Sequence, residues 1–180
     1  MPGTVDDARH MLAAVLADPN PVLIFEHIVL YNTEAALDPT LHAVDIEHAA
    51  VRRAGRDLSL ITYGNSLPKC LAAAERLAQE GIEAEVVDLR VLRPLDMATV
   101  IASVTRTRRV LIVDEGWKSG SISAEIAARL AEDALYELDA PVRRLCSREV
   151  PVPCAAHLEE AALLRLDDII TLARSLVPRR

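Results

Sequence analysis

Leu58-Ser59-Leu60-Ile61-Thr62-Tyr63, then Gly64, a run from Ser66 to Leu77, Gly81, and Ala84-Glu85-Val86-Val87-Asp88-Leu89 follow one another without a break. The first and last pieces are largely apolar and of strand length. In the middle, Leu67, Cys70, Leu71, Ala74 and Leu77 recur at helical spacing. Ser66 is placed to cap that helix, Pro68 is tolerated in its first turn, and Gly81 suits the position just past its end. The stretch predicts a strand–helix–strand unit, whose two strands lie parallel because a whole helix connects them.

Outward from this unit the pattern repeats. Pro94 breaks the chain, and Asp96 caps a helix with Met97, Val100, Ile101 and Val104 on one face. Arg109-Val110-Leu111-Ile112-Val113-Asp114 is the next strand, and Gly116 to Gly120 reads as a loop. A helix from Ser121 to Leu135 buries Ile122, Ile126, Ala127 and Leu130. Pro141-Val142-Arg143-Arg144-Leu145-Cys146 is a fourth strand, Pro151 and Pro153 mark a loop, and an amphipathic helix runs from Asp167 to Val177. Towards the N-terminus, Thr4 caps a helix carrying Met11, Leu12, Val15 and Leu16. Asp18-Pro19-Asn20-Pro21 ends it, and Val22-Leu23-Ile24-Phe25 reads as a strand buried on both faces. Residues 32–56 have no strong period and read as a linker. The fold class is therefore α/β, with a mostly parallel sheet and helices on both faces. Ligands and partners of such sheets meet the carboxyl ends of the strands, here Tyr63 to Ser66, Asp88 to Arg90, Asp114 to Gly116 and Ser147 to Glu149.

The 180 residues suffice for one domain with a real core. A net charge of −7 argues against a phosphate-backbone binder, and 3% aromatic residues against a stacking platform for single-stranded nucleic acid. No apolar run approaches the ~20 residues of a membrane span, and the polar first nine residues carry no secretory signal pattern. Cys70, Cys146 and Cys154 lack CxxC spacing and read as free thiols in a reducing, cytoplasmic setting. Cys70, on the apolar face of its helix, reads as a small buried hydrophobe.

Phosphate loops, nucleophile elbows and the zincin motif are absent, and the five histidines are scattered, so no metal ligand set is expected. Glu26-His27 follows the first strand, where a polar pair could face a site; on pattern alone an ordinary hydrogen-bonded histidine is favoured. Asp114-Glu115-Gly116-Trp117 puts paired carboxylates at a strand terminus, able to hold a cation or meet a basic partner, although capping or bridging the next loop is the plainer reading. Asp88 and Arg90 are expected to pair with each other or to fix the loop before Pro94. Gly120-Ser121 opens a helix, whose N-terminus could hold an anion.

Taken in order, several segments resemble the C-terminal part of the β subunit of the E1 component of 2-oxo acid dehydrogenase complexes. They are Asp18-Pro19-Asn20-Pro21-Val22 with Phe25-Glu26-His27 and Leu30-Tyr31, then Gly55 to Gly64, Ala84 to Arg90, and Leu92 to Asp96. Asp114-Glu115-Gly116-Trp117, Ala124 to Ala127, Asp139-Ala140-Pro141-Val142 and Val150-Pro151-Val152-Pro153 complete the series. Local departures are Lys118 to Ser123 where the family carries two or three glycines, Cys154 where a tyrosine is common, and Glu47-His48 where a Gly-Lys pair often stands.

The resemblance implies a transketolase C-terminal-like domain over 57–180, a three-layer α/β/α fold. Residues 1–31 match the tail, helix plus strand, of a truncated pyrimidine-binding domain. It further implies oxidative decarboxylation of pyruvate or a branched-chain 2-oxo acid, using thiamine diphosphate with Mg in the assembled α/β enzyme. None of that cofactor, and no activity, is expected for the isolated chain, because the glutamate that activates the aminopyrimidine ring lies in the missing part. Implied partners are an E1 α subunit, a second β subunit and the E2 acyltransferase, with no nucleic acid and no membrane. His27 becomes a catalytic candidate by this resemblance alone, and Glu115, Trp117, Gly120 and Ser121 become candidates for the assembly surface. A non-catalytic interaction module, a gene remnant, or half of a split transketolase are the alternatives. Val22 to Phe25, lacking a sheet of its own, is expected to pack on the domain, pair across a dimer or aggregate.

Overall fold

A run of β-prone residues becomes a strand only where a neighbour accepts its hydrogen bonds, and that condition decides which of the expected strands exist. The computed structural model describes residues 1–178; the last two residues of the 57–180 span lie outside the described ones. In chain order the elements are α1 (Val5–Ala17), a short 3-10 turn (Ile28–Asn32), β1 (Ala50–Arg53), β2 (Leu58–Thr62), α2 (Ser66–Gln79), β3 (Ala84–Asp88) and α3 (Met97–Thr107). These are followed by β4 (Val110–Trp117), α4 (Ile122–Asp133), a 3-10 turn (Leu135–Glu137), β5 (Arg143–Ser147), α5 (Ala156–Ala162) and α6 (Leu166–Leu176).

The sheet order is β1-β3-β2-β4-β5. β2 pairs parallel with both β3 and β4, and β4 parallel with β5, while β1 joins the β3 edge antiparallel. Side chains alternate across β2. Leu58 and Leu60 enter a core with Leu67, Cys70, Leu77 and Ile169, from α2 and α6. Ile61 enters the opposite core with Val100, Val104, Ile126 and Leu130, from α3 and α4. The result is the expected three-layer α/β/α arrangement. Ser59 also points to the α3 side, where its hydroxyl lies 2.6 Å from both the Ser103 and Thr107 hydroxyls, so a buried polar group is satisfied.

Local chemistry accounts for most element ends. The Thr4 side chain accepts the Asp7 N–H, and the Asp96 side chain accepts the Thr99 N–H, at 3.0 Å. Gly81, at φ +82°, closes α2 by donating to Ala78 O while Ile82 donates to Leu77 O, a Schellman end. The cap of α2 is Asn65 rather than Ser66, which lies inside the first turn.

Three expectations need correction. Val22 to Phe25 forms no strand: Leu23 is 80% and Phe25 60% exposed, and among the described residues no backbone hydrogen bond joins residues 21–26 to other segments. The run has no partner strand, so its propensity is unused, and of its four residues Ile24 alone is half-buried while the others are exposed. The span 32–56 is not all linker, since β1 at its end belongs to the sheet; two arginines in four residues hid it. The loop expected at Gly116 begins later, because β4 continues through an irregularity between Asp114 and Trp117, where Trp117 pairs with Ser147. Seven-residue α5 was too short to register as a period.

Candidate functional site

The carboxyl ends of β2 and β4 lie side by side, and their polar residues interlock. Asp114 is fully buried and accepts from Tyr63 Oη at 2.6 Å, from the Gly116 N–H at 2.7 Å and from the Ser123 N–H at 3.1 Å. It therefore caps α4, a task that Ser121 at the cap position does not perform with its own side chain. Burial, and then the bond to Asp114, hold the Tyr63 phenol well above the usual tyrosine range, so it remains a donor.

Glu115, one residue on, turns the other way across the sheet end. Its Oε1 accepts from Asn65 Nδ2 at 2.8 Å and Lys69 Nζ at 2.9 Å, both at the start of α2. Its Oε2 faces His27 Nε2 at 3.1 Å. The other ring nitrogen, Nδ1, accepts the Val29 N–H at 3.3 Å and caps the short 3-10 turn. His27 and Glu115, candidates for separate reasons, thus meet, and Asn65 and Lys69 are added to them. Lys69 was hidden on a helix chosen for its apolar face; its signal was its place in the first turn beside a strand end.

The other candidates sit around the β4–α4 turn. Trp117 is half exposed, Gly120 takes φ +71°, and Ser121 Oγ lies 2.6 Å from Ser123 Oγ. Beside them Glu149 accepts from the Ser119 N–H and hydroxyl, which hold its carboxyl below the usual range. Cys70 is buried, as expected, and burial pushes its thiol up to about 12.

A second cluster lies at the β1–β3 edge. Arg52 donates to Asp88 Oδ2 from Nε at 3.1 Å and Nη2 at 3.0 Å, and the same Nη2 contacts Asp7 of α1. Asp7 and Asp88 are both buried. Burial raises the Asp88 carboxyl above its ordinary value, against the opposing pull of Arg52. Of the two roles expected for Asp88 and Arg90, the side-chain ion pair is not formed; Asp88 accepts the Arg90 backbone N–H at the start of the loop before Pro94, while the Arg90 guanidinium donates to His48 O and lies 3.9 Å from Asp7. Arg52 outcompetes it because β1 lies directly alongside β3.

A cavity of about 460 Å³ opens between the start of α1, from Pro2 to Ala8, and the wall formed by Glu26, His27, Leu30, Tyr31 and Thr33. Among the described residues no three His, Cys, Asp or Glu side chains gather as a metal set. The acids at the sheet ends are already engaged by the chain's own donors. The residues present therefore do not by themselves fit a Mg–diphosphate group. Among the same residues no helix is long and apolar enough to cross a membrane.

Residues 47–169 match the family model described as transketolase, C-terminal domain. The chain belongs to the transketolase C-terminal domain family. This transketolase C-terminal domain chain is 41% identical over 178 residues to the pyruvate dehydrogenase E1 component subunit beta-1, mitochondrial, of Arabidopsis thaliana, covering 96% of this chain and 49% of that protein. It is 39% identical to the 2-oxoisovalerate dehydrogenase subunit beta of Bacillus subtilis, covering 98% and 54%. The chain thus spans about half the length of the curated relatives it matches, in agreement with the ordered E1 β motifs. Among solved structures, a split-gene transketolase described as an inactive β4 tetramer superposes with a TM-score of 0.67 over 79% of this chain and 45% of that one, at 24% identity, which supports the fold.

Proposed function

We propose that this chain is the C-terminal half of an E1 β subunit. In this reading it acts with an α subunit and a pyrimidine-binding half in the oxidative decarboxylation of pyruvate or a branched-chain 2-oxo acid. The observation that carries the reading is the 41% identity spread over nearly the whole chain, on a domain of the matching fold. The acids at its sheet ends, Asp114 and Glu115, accept from the chain's own donors, so in this reading the thiamine diphosphate and Mg are held by the partner elements. This chain's contribution is to assemble and brace. Half-exposed Trp117 and the turn through Gly120 and Ser121 offer the assembly face, while Glu115 turns inward to its own chain. A second β chain and the E2 acyltransferase are the further partners in this reading.

The test is co-expression with an E1 α subunit and a pyrimidine-binding half, followed by isolation of the complex. Decarboxylation of pyruvate and of 3-methyl-2-oxobutanoate is then followed with an artificial electron acceptor. Turnover that requires all the parts is expected. A complex without turnover would point to an interaction module instead, and failure to form any complex would overturn the assignment.

A further inference from the structure

The segment from Val22 to Thr33 is weakly tied to the rest of the molecule. Its backbone hydrogen bonds are internal, from Leu30 N–H to His27 O and from Thr33 N–H to Leu30 O. Its side-chain bonds, Val29 to His27 and Tyr31 to Glu26, are internal too. Leu23, Phe25, Ile28 and Val29 along it face solvent, and Ile24 and Leu30 are half-buried. Among the described residues, the polar contact that carries this arm to the sheet is His27 on Glu115.

That contact is built to hold. Both oxygens of Glu115 are engaged, and Asn65 and Lys69 fix the carboxylate from the α2 side. The imidazole is fixed from both ends: Nδ1 accepts a backbone N–H, so in the neutral ring Nε2 must carry the proton, and Nε2 faces the carboxylate. A ring with both nitrogens occupied has none left for a reacting atom. The arm it fastens forms one wall of the 460 Å³ cavity, opposite the start of α1.

We infer that Glu115, backed by Asn65 and Lys69, is a positioning residue that locks His27 in the Nε2–H tautomer and thereby fixes the cavity wall formed by residues 26–33. His27, which lines the cavity, is then a fastener in this arrangement. The inference deepens the proposed role by assigning the chain's bracing function to named atoms. Its test needs no partner, substrate or cofactor, so it succeeds or fails separately from that reading.

The experiment is imidazole ¹⁵N NMR on the full chain at a pH where His27 is neutral, together with amide exchange at Val29. Wild type is expected to show the Nε2–H tautomer. Glu115→Ala should mix the tautomers and speed Val29 exchange by about fivefold, as expected for losing one partly exposed charged hydrogen bond. Lys69→Met keeps the acceptor and should keep the tautomer. A wild-type Nδ1–H or mixed tautomer would overturn the inference without recourse to any variant. So would a folded Glu115→Ala protein with unchanged tautomer and unchanged Val29 exchange.

Discussion

Replacing Arg52 with methionine keeps much of the side chain's bulk and removes the charge shared by two buried carboxylates. Asp88 and Asp7 are 0% and 1% exposed, and Arg52 reaches Asp88 with two nitrogens at 3.0 and 3.1 Å. A unit-charge pair at 3 Å carries a gross attraction of about 5 kcal/mol at an effective dielectric constant of 20. Deleting one partner of a buried pair costs about 3–5 kcal/mol, because the other charge is stranded. That is a fifth or more of a typical stability of about 5–15 kcal/mol. The loss should depend on pH, and the sign follows from Asp88. Burial already raises its folded-state carboxyl above the unfolded value, and Arg52 is the largest influence holding it down. A raised carboxyl contributes stability that is complete below the unfolded pKa and is lost as pH rises through the folded one. Without Arg52 the folded value climbs further, so more is lost as pH rises above the ordinary carboxylate range, at up to ~1.4 kcal/mol per pH unit per proton. Urea unfolding followed by far-ultraviolet circular dichroism should show the full deficit near neutrality and a smaller deficit at a mildly acidic pH, closer to the ordinary carboxylate range. Equal losses at the two pH values, or a loss below about 1 kcal/mol at neutrality, would refute the reasoning.

Gly55→Ala would place a Cβ 2.1 Å from Glu85 N and 2.3 Å from Ala84 C, both backbone atoms, so β3 must move; a loss of about 3 kcal/mol or failure to accumulate as soluble protein is expected. A thiol-reagent assay on native protein should find exposed Cys154 fast and Cys70 silent until denaturant is added, since burial keeps the Cys70 thiol protonated; rapid native labelling of Cys70 would contradict this. Tyr63→Phe removes the Asp114 bond while two backbone N–H donors remain, and should cost about 1–2 kcal/mol in chemical unfolding.

The sheet was legible where burial is two-sided, because β2, β3 and most of β4 sit under helices on both faces and their sequences are apolar runs. Thr4 and Asp96 announced helix starts because their chemistry is local. β1 was not legible: it is an edge strand, and Arg52 and Arg53 are there to meet acids on β3, α1 and the β3 approach, which no local window contains. Val22 to Phe25 failed the opposite way, since its composition favours a strand that needs a neighbour. At the site, Glu115 could be nominated from its place at a strand end, and His27 from the family resemblance. Their meeting, and the Lys69 ammonium on Glu115, depend on how α2 and the arm converge, which only packing specifies.

The direction of one short edge strand has a consequence for how freely the chain can change. β1 runs against its neighbour, so Ala50 stands opposite Asp88, at the carboxyl end of the sheet. Had β1 run parallel, the chain would enter about 13 Å away, at the amino end. The mostly exposed stretch after Thr33, tied down within by buried Val44 and by the Asp38 N–H on Asp6, therefore begins and ends on the same side of the molecule, anchored by His27 before it and by the sheet behind it. Closing a flexible segment grows costlier only with the logarithm of its length, by about 0.6 kcal/mol per doubling. Insertions and deletions there can accumulate across related chains while the two anchors, and the cavity wall between them, stay in register.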